Sequence, residues 1–237
     1  MSHSSPAPRT VFGVIISNRD FFPDQLIGDA RRDVLQIFEE NGIEAILLSP
    51  EDTKLGGVET HSDARKCAEL FRKERDRIDG VLVVLPNFGD EKAVTDTLKI
   101  ADLNVPILVQ AYPDDLEKLD VVRRRDAFCG KISVCNNLRQ VGFPYSLTRK
   151  HVVSLQDQSF KADLNHFVSV CRVVKGLRHL RIGAVGARPG AFNTVRYSEK
   201  ILERNGINVT TVDLSEILGK AEKIHADDLR VSEKIKE

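Results

Sequence analysis

Apolar and polar positions follow two periods along the chain. Val11–Ile16 is an unbroken run of strand-favouring residues, the length of a buried strand and too short for a helix. A loop from Ser17 to Pro23 follows. Asp24 then caps a helix whose apolar residues Leu26, Ile27, Ala30, Val34, Ile37 and Phe38 recur at helical spacing on one face. Asn41-Gly42 stops that helix, and Glu44–Leu48 is the second strand. Thr60 or Ser62 opens a helix through Ala64, Cys67, Ala68 and Phe71. Gly80–Leu85 is apolar throughout, as befits a strand covered on both faces. Asp90 caps a helix through Val94, Leu98 and Ala101, and Val105–Val109 is the fourth strand.

Beyond Tyr112 the pattern is less regular. Lys131–Val134 reads as a fifth strand. Phe160–Val174 reads as a helix with Leu164, Phe167, Val168, Cys171 and Val174 on one face. At Arg181 the alternation restarts. Arg181–Val185 is a strand, Gly186–Asn193 a loop, Thr194–Arg204 a helix, Asn208–Asp213 a strand, and Leu214 begins another helix. This order predicts an α/β protein: a doubly wound parallel-sheet (Rossmann/flavodoxin-like) domain over residues 10–176, followed by the start of a second α/β unit over 177–237. Residues 1–9, polar and Pro-rich, read as a disordered tail. No third strand follows in the second unit, and two parallel strands cover too little to stand alone. Either these strands join the first sheet, or the chain is an incomplete piece of something longer. Ile182, Val185, Ile201, Leu202 and Val209 should then leave an apolar patch exposed.

Composition narrows the partners. Thirty-five Lys and Arg balance thirty-five Asp and Glu, so the formal net charge is zero, with no basic surplus to suit nucleic acid. No apolar run approaches the ~18–20 residues that span a membrane. The expectation is no nucleic acid and no membrane. The start has no apolar leader, and Cys67, Cys129, Cys135 and Cys171 form no CxxC pair, so reduced thiols in the cytoplasm are expected. Cys129 and Cys135, six apart, read as small buried hydrophobes rather than a zinc or disulfide pair.

Ligands of open α/β sheets bind beyond the carboxyl ends of the strands. There the sequence places Ser17, Asn18, Arg19 and Asp20 after the first strand, Pro86, Asn87 and Phe88 after the third, and Gln110, Ala111 and Tyr112 after the fourth. Asn136 and Asn137 lie near the fifth, and Arg188, Pro189 and Asn193 after the restart. Amides and guanidinium groups hydrogen-bond hydroxyls, and an aromatic offers an apolar platform, which together suit a neutral polyol such as a sugar. The same amides also serve to satisfy loop backbone.

Other chemistries find little support. Gly183, Gly186 and Gly190 only loosely imitate a dinucleotide loop, and no phosphate loop, nucleophile elbow or HExxH is present. A receiver-like domain needs an Asp at a strand end, where Pro86 and Asn87 stand instead. The pairs Glu51-Asp52 and Asp114-Asp115 read as turn formers. Arg123-Arg124-Arg125 reads as a solvated face, or as a group pairing with carboxylates across a subunit interface.

Four blocks carry a resemblance: Phe12-Gly-Val-Ile-Ile-Ser-Asn-Arg-Asp-Phe-Phe-Pro23, Leu85-Pro-Asn-Phe-Gly-Asp-Glu-Lys92, Leu108-Val-Gln-Ala-Tyr-Pro113 and Phe128-Cys-Gly-Lys-Ile-Ser-Val-Cys-Asn-Asn-Leu138. Together they resemble the amino-terminal domain of the L-fucose/L-arabinose isomerase family, in its fucose-isomerase-like branch. Gly183–Lys200 and Val212–Glu216 resemble the opening of that family's middle domain. The resemblance implies an aldose–ketose isomerase acting through an ene-diolate, with a divalent metal, typically manganese, on adjacent sugar oxygens. It implies metal ligands in the later middle and carboxy-terminal parts, so none is carried over to this chain and no metal is expected to be bound by its residues.

The resemblance also implies a monosaccharide substrate and a homo-oligomer or a missing carboxy-terminal half. A polar or Arg residue after the first strand and an aromatic after the third would close the sugar pocket. Asn18, Arg19, Asn87 and Phe88 hold those places, Phe88 standing where the family often has Trp. Arg188 and Asn193 occupy the first turn of the middle domain. The alternative is a non-catalytic sugar-binding or regulatory α/β module.

Overall fold

The computed structural model describes residues 9–120, 122–225 and 227–236. The tail expected over 1–9 lies outside the described residues except for Arg9, which is exposed. Its contacts divide the chain into two units that meet between Val174 and Lys175.

The first unit is a five-stranded sheet, parallel throughout, in the order β2-β1-β3-β4-β5. The strands are β1 (Val11–Ile16), β2 (Glu44–Ile46), β3 (Gly80–Leu85), β4 (Ile107–Ala111) and β5 (Ser146–Leu147). Gly13 pairs with Val81, and Val83 with Val109. β1 and β3 are buried along their whole length, which is why their sequences lack any polar alternation. The helices are α1 (Gln25–Glu40), α2 (His61–Lys73), α3 (Glu91–Ala101), α4 (Ala127–Gln140) and α5 (Gln158–Arg178).

Side chains of β1 divide between two cores. Phe12, Val14 and Ile16 pack with α1 and α5, where the Phe12 ring lies 5.7 Å from Phe38 and 5.2 Å from Phe167. Val11 and Ile15 pack with α2, α3 and α4 on the other face. Thr60 caps α2 and shares a capping box with Asp63, and the Asp90 side chain accepts from the Ala93 amide at 2.7 Å.

Several expectations need correction. β4 begins two residues later than Val105. Pro106 has no amide to give a ladder, and pairing starts after it. Gln110 therefore lies inside β4, opposite Val84, and is fully buried.

The segment read as a strand at Lys131–Val134 is the middle of α4. Its buried face is Ala127, Gly130, Lys131, Val134 and Leu138, a helical spacing that a glycine and a lysine disguise. Ile132, within the same segment, is exposed. Asn136 and Asn137 accordingly sit on a helix rather than beyond a strand end. Asn136 is exposed, and Asn137 Nδ2 donates back to the Ser133 carbonyl at 3.3 Å. Cys129 is exposed and Cys135 half-buried, so neither is the fully buried hydrophobe expected.

In the second unit, β6 (Arg181–Val185) pairs in parallel with β7 (Asn208–Val212). The helix expected from Thr194 is a 3₁₀ turn at Asn193–Val195 and a short α6 (Glu199–Arg204), because Ser198 restarts the helix as an N-cap. Helices α7 (Leu214–Ala221) and α8 (Leu229–Lys236) follow. Ile182, Val185 and Ile201 are exposed, while Leu202 and Val209 are half-buried.

Lys131 makes a testable contribution to stability. Its ammonium is buried and donates to Thr148 Oγ1 at 2.7 Å and to the His151 carbonyl at 2.9 Å. Burial pulls its pKa down to about 8. The unfolded lysine titrates near ~10.4, so between these values the unfolded chain binds more protons. Stability should rise with pH across that window and lose this contribution as pH falls through about 8. Denaturant unfolding of wild type should show a positive slope, at most about 1.4 kcal/mol per pH unit, that Lys131→Met lacks.

Candidate functional site

The strand order reverses between β1 and β3, and the loops leaving these two strands part there to open a crevice. The chain continues β1 through a single parallel pairing of Ser17 with Val58, which brings the end of the β2–α2 connection alongside. Three segments thus meet: 17–24, 54–63 and 86–91.

Their floor is a buried amide pair. Asn18 and Asn87 are both fully buried. Asn87 Nδ2 donates to Asn18 Oδ1 at 2.5 Å, and Asn87 Oδ1 accepts from the Gly89 amide at 3.0 Å. Asn18 Nδ2 in turn donates to Glu59 Oε2 at 3.0 Å and Asp24 Oδ1 at 3.3 Å. Ser17 Oγ accepts from the Asp90 amide at 2.9 Å. These amides fix the loops from beneath rather than facing outward.

Above the floor lies a cleft of about 530 Å³ lined by Arg19, Asp20, Lys54, Glu59, Thr60, Asp63 and Asp90. Its volume falls within the range of small-molecule sites, roughly 300–1,000 Å³. Arg19 Nε donates to the Gly89 carbonyl at 2.9 Å, and its guanidinium pairs with Glu91. The same guanidinium stands 4.5 Å from the centre of the Phe88 ring, which also stacks on Phe22 at 6.2 Å. Phe88 is half-buried. So Arg19 is fixed in three ways while remaining on the cleft wall.

Lys54 is the other cation. It lies 3.3 Å from Asp24, 3.4 Å from Glu59 and 3.9 Å from Asp20. Partial burial works against its charge, but Glu59 and Asp24 outweigh that and hold its pKa above the ordinary lysine value. Asp24 sits at the N-cap position of α1, yet its side chain makes no cap and turns to Lys54 and Asn18 instead.

The carboxylates are thus already engaged by an ammonium and an amide, which is poor chemistry for a divalent ion. Among the described residues no cluster of three or more His, Cys, Asp or Glu is placed to hold a metal. A manganese ion does not fit these residues, and no step through one is assigned to them.

The predicted site residues fall into four groups. Asn18, Arg19, Asn87 and Phe88 come together at this crevice. Gln110 is near but enclosed, its Nε2 donating to the Val153 carbonyl at 2.6 Å. Asn136 and Asn137 lie on α4. Arg188 and Asn193 belong to the second unit, where Arg188 pairs with Glu199 at 2.5 Å and Asn193 opens the 3₁₀ turn.

Strand-end reasoning on β1, β3 and β4 does not reach Lys54, Glu59, Thr60 and Asp63. The signal for them is the loop after β2, which carries Gly56-Gly57 and returns to β1 at Val58.

No helix among the described residues is long and apolar enough to cross a membrane. Comparison with curated proteins returned no match. Residues 13–178, more than half of the chain, match the family described as Fucose/sulfoquinovose isomerase, N-terminal domain. With its parallel α/β sheet and a polar cleft at the strand-order reversal, the chain belongs to the fucose/sulfoquinovose isomerase family and contains its N-terminal domain.

Proposed function

We propose that this chain supplies the sugar-facing wall of an aldose–ketose isomerase and acts on an uncharged sugar. The observation that carries the reading is the cleft at the β1/β3 reversal, where Arg19, Thr60 and Asp63 offer donors and acceptors on a floor locked by Asn18 and Asn87. Such a wall binds and orients hydroxyls. It holds Arg19 rigid, so little ordering is needed when a ligand arrives.

The charge of the cleft discriminates between the two sugars in the family's description. Four lining carboxylates, Asp20, Glu59, Asp63 and Asp90, face two cations, Arg19 and Lys54. Both cations are already paired with carboxylates. A sulfonated sugar would enter a field of its own sign, whereas fucose and its neutral relatives would not.

The proton transfer itself, through an ene-diolate, belongs in this reading to groups outside the cleft. A divalent metal, if held by residues outside this cleft, would supply charge stabilisation there. Its ligands are not among the residues described above. We place the protein in the cytoplasm, a reducing compartment that suits its four free cysteines.

The test is purified chain incubated with manganese and with L-fucose or L-arabinose, with ketose measured directly. No ketose above the no-protein control is expected. Metal-dependent turnover by this chain alone would overturn the division of labour.

A further inference from the structure

We propose that Lys54 is the ligand-responsive donor of the cleft, and that the strained turn bearing it, residues 53–57, serves to hold its ammonium there. The inference rests on the sugar reading above and deepens it, by assigning which cation gives its donors to the ligand's hydroxyls.

The backbone of the turn is the first observation. Among the described residues, four non-glycine positions have a positive φ, and three of them are Asp or Asn. Those two types tolerate left-handed backbone through short local hydrogen bonds. The fourth is Leu55, at φ 52° and ψ 23°, followed by Gly56 at φ 78°. A leucine makes no such bond, and its side chain is 38% exposed, so its own burial does not repay the strain. Strain of this kind persists where the surroundings impose it, and it gathers at ligand clamps.

The surroundings here are explicit. Thr53 Oγ1 donates to the Gly57 carbonyl at 2.7 Å. The Gly56 amide donates to the Thr53 carbonyl at 3.1 Å, and the Gly57 amide to the Lys54 carbonyl at 2.9 Å. A Cβ on Gly56 would stand 2.8 Å from the Leu48 carbonyl oxygen, so the turn is pressed onto the chain leaving β2.

The donors of the two cleft cations are the second observation. Arg19 gives Nε to Gly89 and an Nη to Glu91, and lays its face on Phe88, so it meets a ligand as a fixed wall. Lys54 Nζ lies 3.3 Å from Asp24 Oδ1, 3.4 Å from Glu59 Oε2 and 3.9 Å from Asp20. All three distances exceed the roughly 2.7–2.9 Å of a charge-assisted hydrogen bond. The ammonium is held by the sum of three charges rather than by one short bond, and it can turn a donor to a newcomer without breaking one.

The two nearest oxygens are the same ones that Asn18 Nδ2 reaches from the buried floor. Asp24 and Glu59 are therefore fixed by an amide on one side and faced on the other by a side chain 45% exposed. A ligand hydroxyl entering there accepts from Lys54 and donates to one of these carboxylates, which uses both of its hydrogen-bonding capacities.

The test is a titration of the full chain, its lysines labelled with carbon-13 at Cε, with L-fucose and without metal. The Lys54 signal, assigned by its absence from Lys54→Met, should shift saturably and in step with the Arg19 amide. Lys54→Met should bind at least about tenfold more weakly, the loss expected with a charged donor. Lys54→Arg, which keeps charge and donors, should bind more tightly than Lys54→Met. Leu55→Gly relieves the left-handed strain, so it should unfold at no lower denaturant concentration than wild type. It also loosens the turn, and should bind L-fucose about threefold more weakly. An unmoved Lys54 signal beside a shifting Arg19 amide would overturn this inference and leave the sugar reading standing. So would wild-type affinity in Lys54→Met or in Leu55→Gly. No response from either Lys54 or Arg19 would overturn both.

Discussion

Replacing Gly130 with alanine is expected to destabilise the first unit by about 3 kcal/mol, although alanine is the better helix former. Gly130 is the fourth residue of α4 and lies against the main chain of Phe88. A Cβ there would stand 1.8 Å from the Phe88 carbonyl oxygen and 2.5 Å from its carbonyl carbon. Those atoms belong to backbone, so no rotamer change relieves the clash. Either α4 moves away from the sheet or the loop 86–89 shifts, and the second outcome carries Asn87 and Gly89 with it. The helix-propensity gain of about 1 kcal/mol is too small to compensate. Chemical denaturation should report the loss, and Gly130→Ser should behave like alanine because any Cβ meets the same oxygen.

The second large effect is expected at Asn18. Asn18→Asp changes almost no volume, so it isolates the chemistry. Oδ1 can still accept from Asn87, but the other oxygen replaces a donor that faces Glu59 at 3.0 Å and Asp24 at 3.3 Å. A fully buried carboxylate is then set against two others, with Lys54 already shared among three acids. A loss of about 3–5 kcal/mol at neutral pH is expected, the range for an uncompensated buried charge.

The sign with pH is fixed by the same reasoning. Burial and like charge raise the new carboxyl's folded pKa above its unfolded value. Protonation then favours the fold, so the deficit relative to wild type should shrink as pH falls and be full once pH exceeds the folded pKa. Urea titrations of both proteins at several pH values check this. A deficit independent of pH would mean that Asn18 matters only for its shape.

Parts of this architecture were open to reading from local pattern, and the parts that were not have physical causes. β1 and β3 follow their apolar runs residue for residue, because a strand buried on both faces has no reason to interrupt its hydrophobicity. β6 also has its expected bounds, although its residues are largely exposed. The α4 helix was hidden because its inward face uses Gly130 for a close approach and Lys131 for a buried polar contact, neither of which reads as a hydrophobic stripe. β5 is two exposed residues long and leaves no pattern at all.

The candidate site was half open in the same way. Position after a strand singled out Arg19 and Phe88, and also Asn18 and Asn87, but it could not separate residues that face a ligand from those beneath it. That distinction depends on the Asn18–Asn87 contact, which spans sixty-nine positions. Lys54 and Glu59 enter only because Val58 pairs with Ser17, a long-range contact without a local signature.

The central claim is that the cleft at the β1/β3 reversal receives an uncharged sugar. It is tested most directly by nuclear magnetic resonance titration of the isotope-labelled chain, without metal, against L-fucose, L-arabinose and a sulfonated hexose. The account predicts saturable shifts with the neutral sugars at the amides of Arg19, Thr60 and Asp63, at least tenfold weaker in Arg19→Ala, and little response to the sulfonated sugar. Shifts confined to other residues, no response to any neutral sugar, or a preference for the sulfonated one would contradict it.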